Sequence, residues 1–218
     1  VLCDENLLQT VVHSLPPQVE SVNITTGFPL AQSPVFSFVN ALIALQTAGY
    51  TKSSARYRLQ YVRPVLRHPY SLFLSESCSK LLATLEEHHT YYPLRQDLAI
   101  DEGLTLLFAD LEEGVADVQT YHARLVEWML QLLKCVGTST QETNDHLMKE
   151  AIYRMYTLFN RFHELIISGD LSVDLITLLR LITQLVQATS IPFHGEPAVG
   201  LQVMGVLETR NLDFDNIL

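Results

Sequence analysis

The chain has 218 residues, 48% of them hydrophobic and 17% charged, enough apolar side chain for one large domain or two small ones and out of keeping with a disordered chain. Against 14 Lys and Arg stand 24 Asp and Glu, a formal net charge of -10, which argues against a protein that coats nucleic acid by bulk electrostatics and leaves room only for a local basic site. The longest apolar run, Val35 to Leu45, is broken by Ser37 and Asn40 and falls short of the about 20 residues a bilayer core needs, so no membrane span is predicted.

Cys3, Cys78 and Cys135 are odd in number and far apart, which fits neither a disulfide framework nor a CxxC metal pair and points to a reducing, cytoplasmic setting. The N-terminus has no basic stretch or cleavage site of a secretory leader, and Val1-Leu2-Cys3-Asp4 reads as the end of a strand entered in the middle. With Leu218 also falling in an apolar run, the chain reads as a piece cut from a longer protein.

In chain order, Glu20 to Thr26 alternates apolar and polar residues with β-formers, as a strand does. Ser33-Pro34 then carries the cap and first-turn proline of a helix in which Val35, Phe38, Val39, Leu42, Ile43 and Leu45 recur up to Gly49. The pattern predicts a helix over 53–67 that closes at His68-Pro69, with Pro64 a place for a kink or a split. Further helices are predicted from Ser77 to His89 and from Asp101 to Leu111, the second capped by Asp101.

The two clearest helices follow. Leu125, Trp128, Met129, Leu132, Leu133 and Val136 form one i, i+3, i+4 stripe, and Leu147, Ala151, Met155, Leu158, Phe159, Phe162 and Ile166 form another. Gly169 ends the second helix and Asp170 is expected to cap the next, over Leu171 to Val186, whose dense apolar content predicts a place among other helices. A second strand is predicted from Val199 to Leu207. The expected fold is mostly α with a small α/β part: residues 1–32 and 190–218 form one subdomain whose end strands pair in parallel, and residues 33–189 form an inserted helical domain.

Common catalytic signatures are missing. There is no G-x-x-x-x-G-K-[ST] phosphate loop, no G-x-G-x-x-G and no G-x-S-x-G elbow, and the histidines lack H-E-x-x-H or Cys/His spacing. No catalytic residue, metal or cofactor is therefore expected in this chain. The exception in charge is a run without acids up to Glu76, in which Lys52, Arg56, Arg58, Arg63 and Arg67 supply five of the 14 Lys and Arg. Two readings stay open: phosphate contact with DNA, with Tyr57 and Tyr61 stacking on bases, or a solvated helix face paired with carboxylates of neighbouring helices. The carboxylate pairs Glu86-Glu87 and Glu112-Glu113 are adjacent in sequence, which suits solvated faces better than shared acid/base work.

Val199 to Asp215, with its core Gly205-Val206-Leu207-Glu208-Thr209-Arg210-Asn211-Leu212-Asp213-Phe214, resembles motif V of superfamily 1 helicases of the UvrD type. It is closer to the variant in AddB-type and RecC-type subunits of bacterial double-strand-break repair complexes. Val1 to Leu8, Val22 to Leu30 and Leu66 to Tyr70 agree with that family in the same order. The resemblance implies a partial second RecA-like subdomain interrupted by a helical insertion, with ATP and Mg bound by the whole helicase-nuclease and not by this piece. It assigns Arg210 and Asp213 to nucleotide contact. It also implies that the chain is nearer the DNA-reading partner subunit than the engine, because Leu207 stands where the family has a His that links DNA contact to ATP turnover. The expected partners are DNA, single-stranded, and a helicase-nuclease subunit. The alternative from another class is a helical protein docking module that touches no nucleic acid.

Overall fold

In a computed structural model, which describes residues 1–4, 7–192 and 200–210, the chain is mostly α-helical with a small α/β part. The elements run α1 (Leu8–His13), β1 (Val22–Ile24), β2 (Phe28–Pro29), α2 (Pro34–Ala44), β3 (Tyr50–Thr51), β4 (Arg56–Tyr57), α3 (Leu59–Arg67), α4 (Cys78–Glu87), α5 (Arg95–Leu98), α6 (Glu102–Leu107), α7 (Val118–Ser139), α8 (His146–Ile167), α9 (Leu175–Gln187), β5 (Ser190–Ile191) and β6 (Leu201–Val203). They fall into two compact units, one of residues 1–32 with those from 187 onward and the other of residues 33–186.

The first unit is held by pairing between the two chain ends. β1 and β6 run parallel, with Val22 opposite Leu201, Asn23 opposite Gln202 and Ile24 opposite Val203. On β6, the Val203 carbonyl accepts from Thr25 N–H at 2.9 Å and the next carbonyl, Met204, accepts from Leu2 N–H at 2.8 Å. Successive carbonyls of a strand point to opposite edges, so β6 lies between β1 and the short Leu2 segment, and both neighbours are parallel to it. Leu2, Leu8 and Val203 bury themselves together with Val11, Val22 and Ile24 beside them. Gly200 leads into β6 at φ 71°, where a side chain would be strained and its Cβ would collide with the Ser21 carbonyl. The second strand is shorter than its sequence suggests, because the backbone leaves the ladder for a 3-10 turn at Val206–Thr209. β2 and β5 add an antiparallel pair, Phe28 opposite Ile191.

The second unit is the helical one. α2 starts as Ser33-Pro34 requires, with Ser33 extended and Pro34 in the first turn, and it buries Val35, Phe38, Val39 and Leu42 completely. A π turn over Leu45–Gly49 then carries Gln46 into the interior, where its side-chain amide donates to the Ala109 carbonyl at 3.0 Å. The helix expected over 53–67 begins only at Leu59. Its first residues instead form a 3-10 turn over Lys52–Ser54, a left-handed Ala55 at φ 49°, and the hairpin strand β4, pairing Tyr50 with Tyr57 and Thr51 with Arg56. Aromatic burial decides this: the Tyr57 ring is fully buried, 4.7 Å from Tyr50 and 5.2 Å from Phe108 between centroids. Pro64 neither ends nor splits α3; it occupies an exposed position within it.

Aspartates cap four helices. The side chains of Asp101, Asp117, Asp145 and Asp174 accept from the N–H of Leu104, Thr120, Met148 and Thr177 at 2.8 to 2.9 Å. The cap of α9 is thus Asp174 and not Asp170, whose carboxylate instead accepts the Ser168 hydroxyl in the turn after α8. The two longest helices, α7 and α8, pack along each other through buried Leu125, Met129, Leu132 and Val136 on one side and Ile152, Met155, Phe159 and Phe162 on the other. Apolar density in α9 does not make it a surrounded helix. It buries one stripe, Leu178, Ile182 and Val186, and leaves Ile176 73% exposed. Among the described residues, no helix is long and apolar enough to cross a membrane.

Candidate nucleic-acid interface

The basic residues between 52 and 67 start on different elements and find different partners. Arg63 and Arg67 are one turn apart on α3, so their side chains leave the same face. Both converge on Glu86 of α4, Arg63 Nε at 2.8 Å and Arg67 at 3.2 Å from Oε1. Lys52, in the turn before β4, donates to the Glu112 main-chain carbonyl at 2.9 Å and stands 4.0 Å from its carboxylate. Arg56 donates to the Tyr92 carbonyl at 2.6 Å, and Arg58, also exposed, precedes α3. Among the described residues, three of the five cations, Lys52, Arg63 and Arg67, meet two carboxylates, Glu86 and Glu112, and the five remain positive as a group. Carboxylate pairing on a solvated helix face, one of the two readings of this run, describes Arg63 and Arg67. Such exposed pairs contribute about 0.2–1 kcal/mol each.

The aromatic part of the expectation changes. Tyr57 is on a strand, not on the helix of Tyr61, and is buried to 0% exposure, so it has no face to offer a base. Burial pushes its hydroxyl well above the ordinary tyrosine value. Tyr50 beside it is pushed up to about 12, by burial first and then by donating to the Asp110 carboxylate at 2.7 Å. Tyr61 is half-buried against Gly49.

Of the segment that resembles motif V, Gly205 bridges Leu2, Val206–Thr209 form the 3-10 turn, and Arg210 follows as an exposed cation. Asp213 and Asn211 lie outside the described residues. Arg210 makes no ion pair with the described residues.

Several other titratable groups have their pKa shifted by burial and hydrogen bonding. Asp101 caps α6 and accepts the Ser75 hydroxyl, and these hydrogen bonds hold its carboxyl below the usual range although desolvation, the largest single influence, opposes them. Cys78 is buried, and its thiol is pushed up to about 11 chiefly by desolvation. His122 on α7 is 1% exposed and its Nε2 has no hydrogen-bond partner among the described residues; burial lowers its pKa, while Asp174 acts in the opposite sense. It borders a hollow of about 420 Å³ that also carries Lys52, Glu112 and Asp117. No group of three or more His, Cys, Asp or Glu among the described residues is placed to hold a metal ion.

Sequence reasoning named the cations but missed their counterion. Glu86 was visible only as half of a carboxylate pair, and nothing in the spacing shows that α4 lies against α3. No protein-family model, curated protein or solved structure matches the chain.

Proposed function

We propose that the chain is a DNA-binding and scaffolding part of an ATP-dependent helicase-nuclease subunit of the exonuclease V kind, acting in double-strand-break repair and recombination and inactive alone. The observation that carries this reading is the parallel ladder between the two ends, Val22 to Ile24 on Leu201 to Val203, with a whole helical unit inserted between them. A parallel pair needs a crossover connection, and here that crossover contains the insertion. This is the plan that the resemblance to UvrD-type motors implies, and the paired strand leads directly into the motif V-like segment. The Arg63 and Arg67 face, with two cations on one carboxylate, supports the same reading.

The test is binding of labelled oligothymidylate by the chain across a salt series. The reading expects measurable binding that weakens with salt, and Arg63→Ala with Arg67→Ala is expected to lower the slope of log affinity against log salt by about 1.4, at about 0.7 per phosphate contact on a single strand. Absence of binding at low salt would overturn it.

A second reading, a protein docking module, is favoured by Ile176 at 73% and Ile167 at 65% exposure, apolar side chains of a kind that partner surfaces cover. Cross-linking in the whole complex separates the two: protein contacts at α9 with no DNA contact anywhere in 33–186 would select the docking module.

A further inference from the structure

Three hollows of the helical unit carry cations, and they differ in what surrounds the charge. Arg67 lines one of about 300 Å³ together with its partner Glu86. Lys52 lines another together with Glu112 and Asp117. The third, a groove of about 420 Å³ between α7 and α8, is lined by Lys134 and Lys149 with no carboxylate on its walls. In a chain of net charge -10 a wall that carries two lysines and no carboxylate is suited to an anionic group.

The helices place aromatic faces beside those charges. Lys149, Tyr153 and Tyr156 are at i, i+4 and i+7 on α8, one side of the helix. That is not its core stripe, and Tyr153 is 62% exposed. Lys149 Nζ donates to the Gln141 carbonyl at 2.6 Å, which holds the ammonium at the rim of the groove without neutralising it. Lys134 comes from α7 and makes no ion pair with the described residues. Gly137, one turn further along α7, leaves the groove open. A Cβ there would meet only Ile152, at an ordinary 3.4 Å, so helix packing does not demand the glycine.

We propose that this groove seats one nucleotide of single-stranded DNA, with Tyr153 and Tyr156 stacking on the base and Lys134 and Lys149 on the flanking phosphates. The inference rests on the DNA-binding reading above and adds a second contact to it. Stacking faces beside a positive track are how proteins hold single strands without reading sequence. A protein partner fits the groove less well, because lysine is depleted at the centres of protein interfaces.

The experiment uses the intact chain and labelled oligothymidylate, with thymidine monophosphate as competitor and helix content and melting checked for every variant. Tyr153→Ala is expected to weaken binding about tenfold while Tyr153→Phe keeps it, since the ring face and not the hydroxyl does the stacking. Lys134→Gln with Lys149→Gln should reduce the salt slope by about 1.4. Gly137→Leu, which fills the groove and improves helix propensity, should weaken binding without altering the charge. Should the unmodified chain bind and these variants bind equally well, the groove is overturned and the DNA-binding reading stands. Should the unmodified chain bind no oligonucleotide, both fall. Competition by the monophosphate at the strand's own concentration would also overturn the proposal, because the site would then be one for free nucleotides.

Discussion

Glu86 shows how one side chain changes the meaning of others. Two arginines that look like a phosphate clamp in the sequence share its carboxylate at 2.8 and 3.2 Å, so DNA would have to displace a weak, solvent-exposed pair and not fill an empty clamp. His122 carries a pH dependence. Burial lowers its pKa below the ordinary value of about 6.5, so as pH falls the unfolded chain takes up a proton before the folded one does. Stability is then full above about pH 6.5 and is lost as pH falls below it through the folded-state value. The denaturant midpoint should therefore drop between about pH 7.5 and about pH 5.5, and His122→Gln should shrink that drop. Some of it should persist, because His68 is shifted in the same sense by burial. An unchanged drop in His122→Gln would remove His122 as its source.

At the level of elements, caps and stripes follow local rules, and errors enter where two rules compete. Asp170 and Asp174 are both plausible starts for α9. The chosen one is Asp174, whose carboxylate receives the N–H and hydroxyl of Thr177 at 2.8 and 3.0 Å, because the α8 turn, with Gly169 at φ 83°, already uses Asp170 through Ser168. Asp174→Ala should therefore lower the melting temperature by a few degrees, about 2–4 °C, and Asp170→Ala by less. The reverse order in a thermal melt would contradict the assignment. The segment before α3 shows competition of another kind: its helical pattern is real, but burying Tyr57 against Tyr50 and Phe108 outweighs it and converts residues 50–57 into a hairpin.

For the whole molecule, the nested plan makes a prediction about folding units. The helical unit consists of one uninterrupted segment and builds its core from its own residues, among them Phe38, Leu42, Trp128, Met155 and Phe159. Residues 33–186 produced alone should keep their helix content and melt cooperatively. Circular dichroism checks this, and a broad, non-cooperative melt would sink it. The other unit cannot be made from one end, because β1 and β6 come from segments about the whole insertion apart, and each supplies half of the ladder.

Hydrophobic periodicity determined the mainly helical class, the stripes of α7 and α8 and the position of α2, since a 3.6-residue repeat of apolar side chains states locally which face is buried. The β-forming ends were legible for a like reason, although the lengths of the strands were not: β1 is Val22–Ile24 and β6 is Leu201–Val203, each shorter than its pattern suggests. What only the tertiary structure decided are the relations between segments distant in sequence: the alignment of Val22 with Leu201, the sharing of Glu86 by two arginines, and the meeting of Lys134 with Tyr153 across a groove. Each depends on which surfaces exclude water together, and that is a property of the packed chain and not of any window along it.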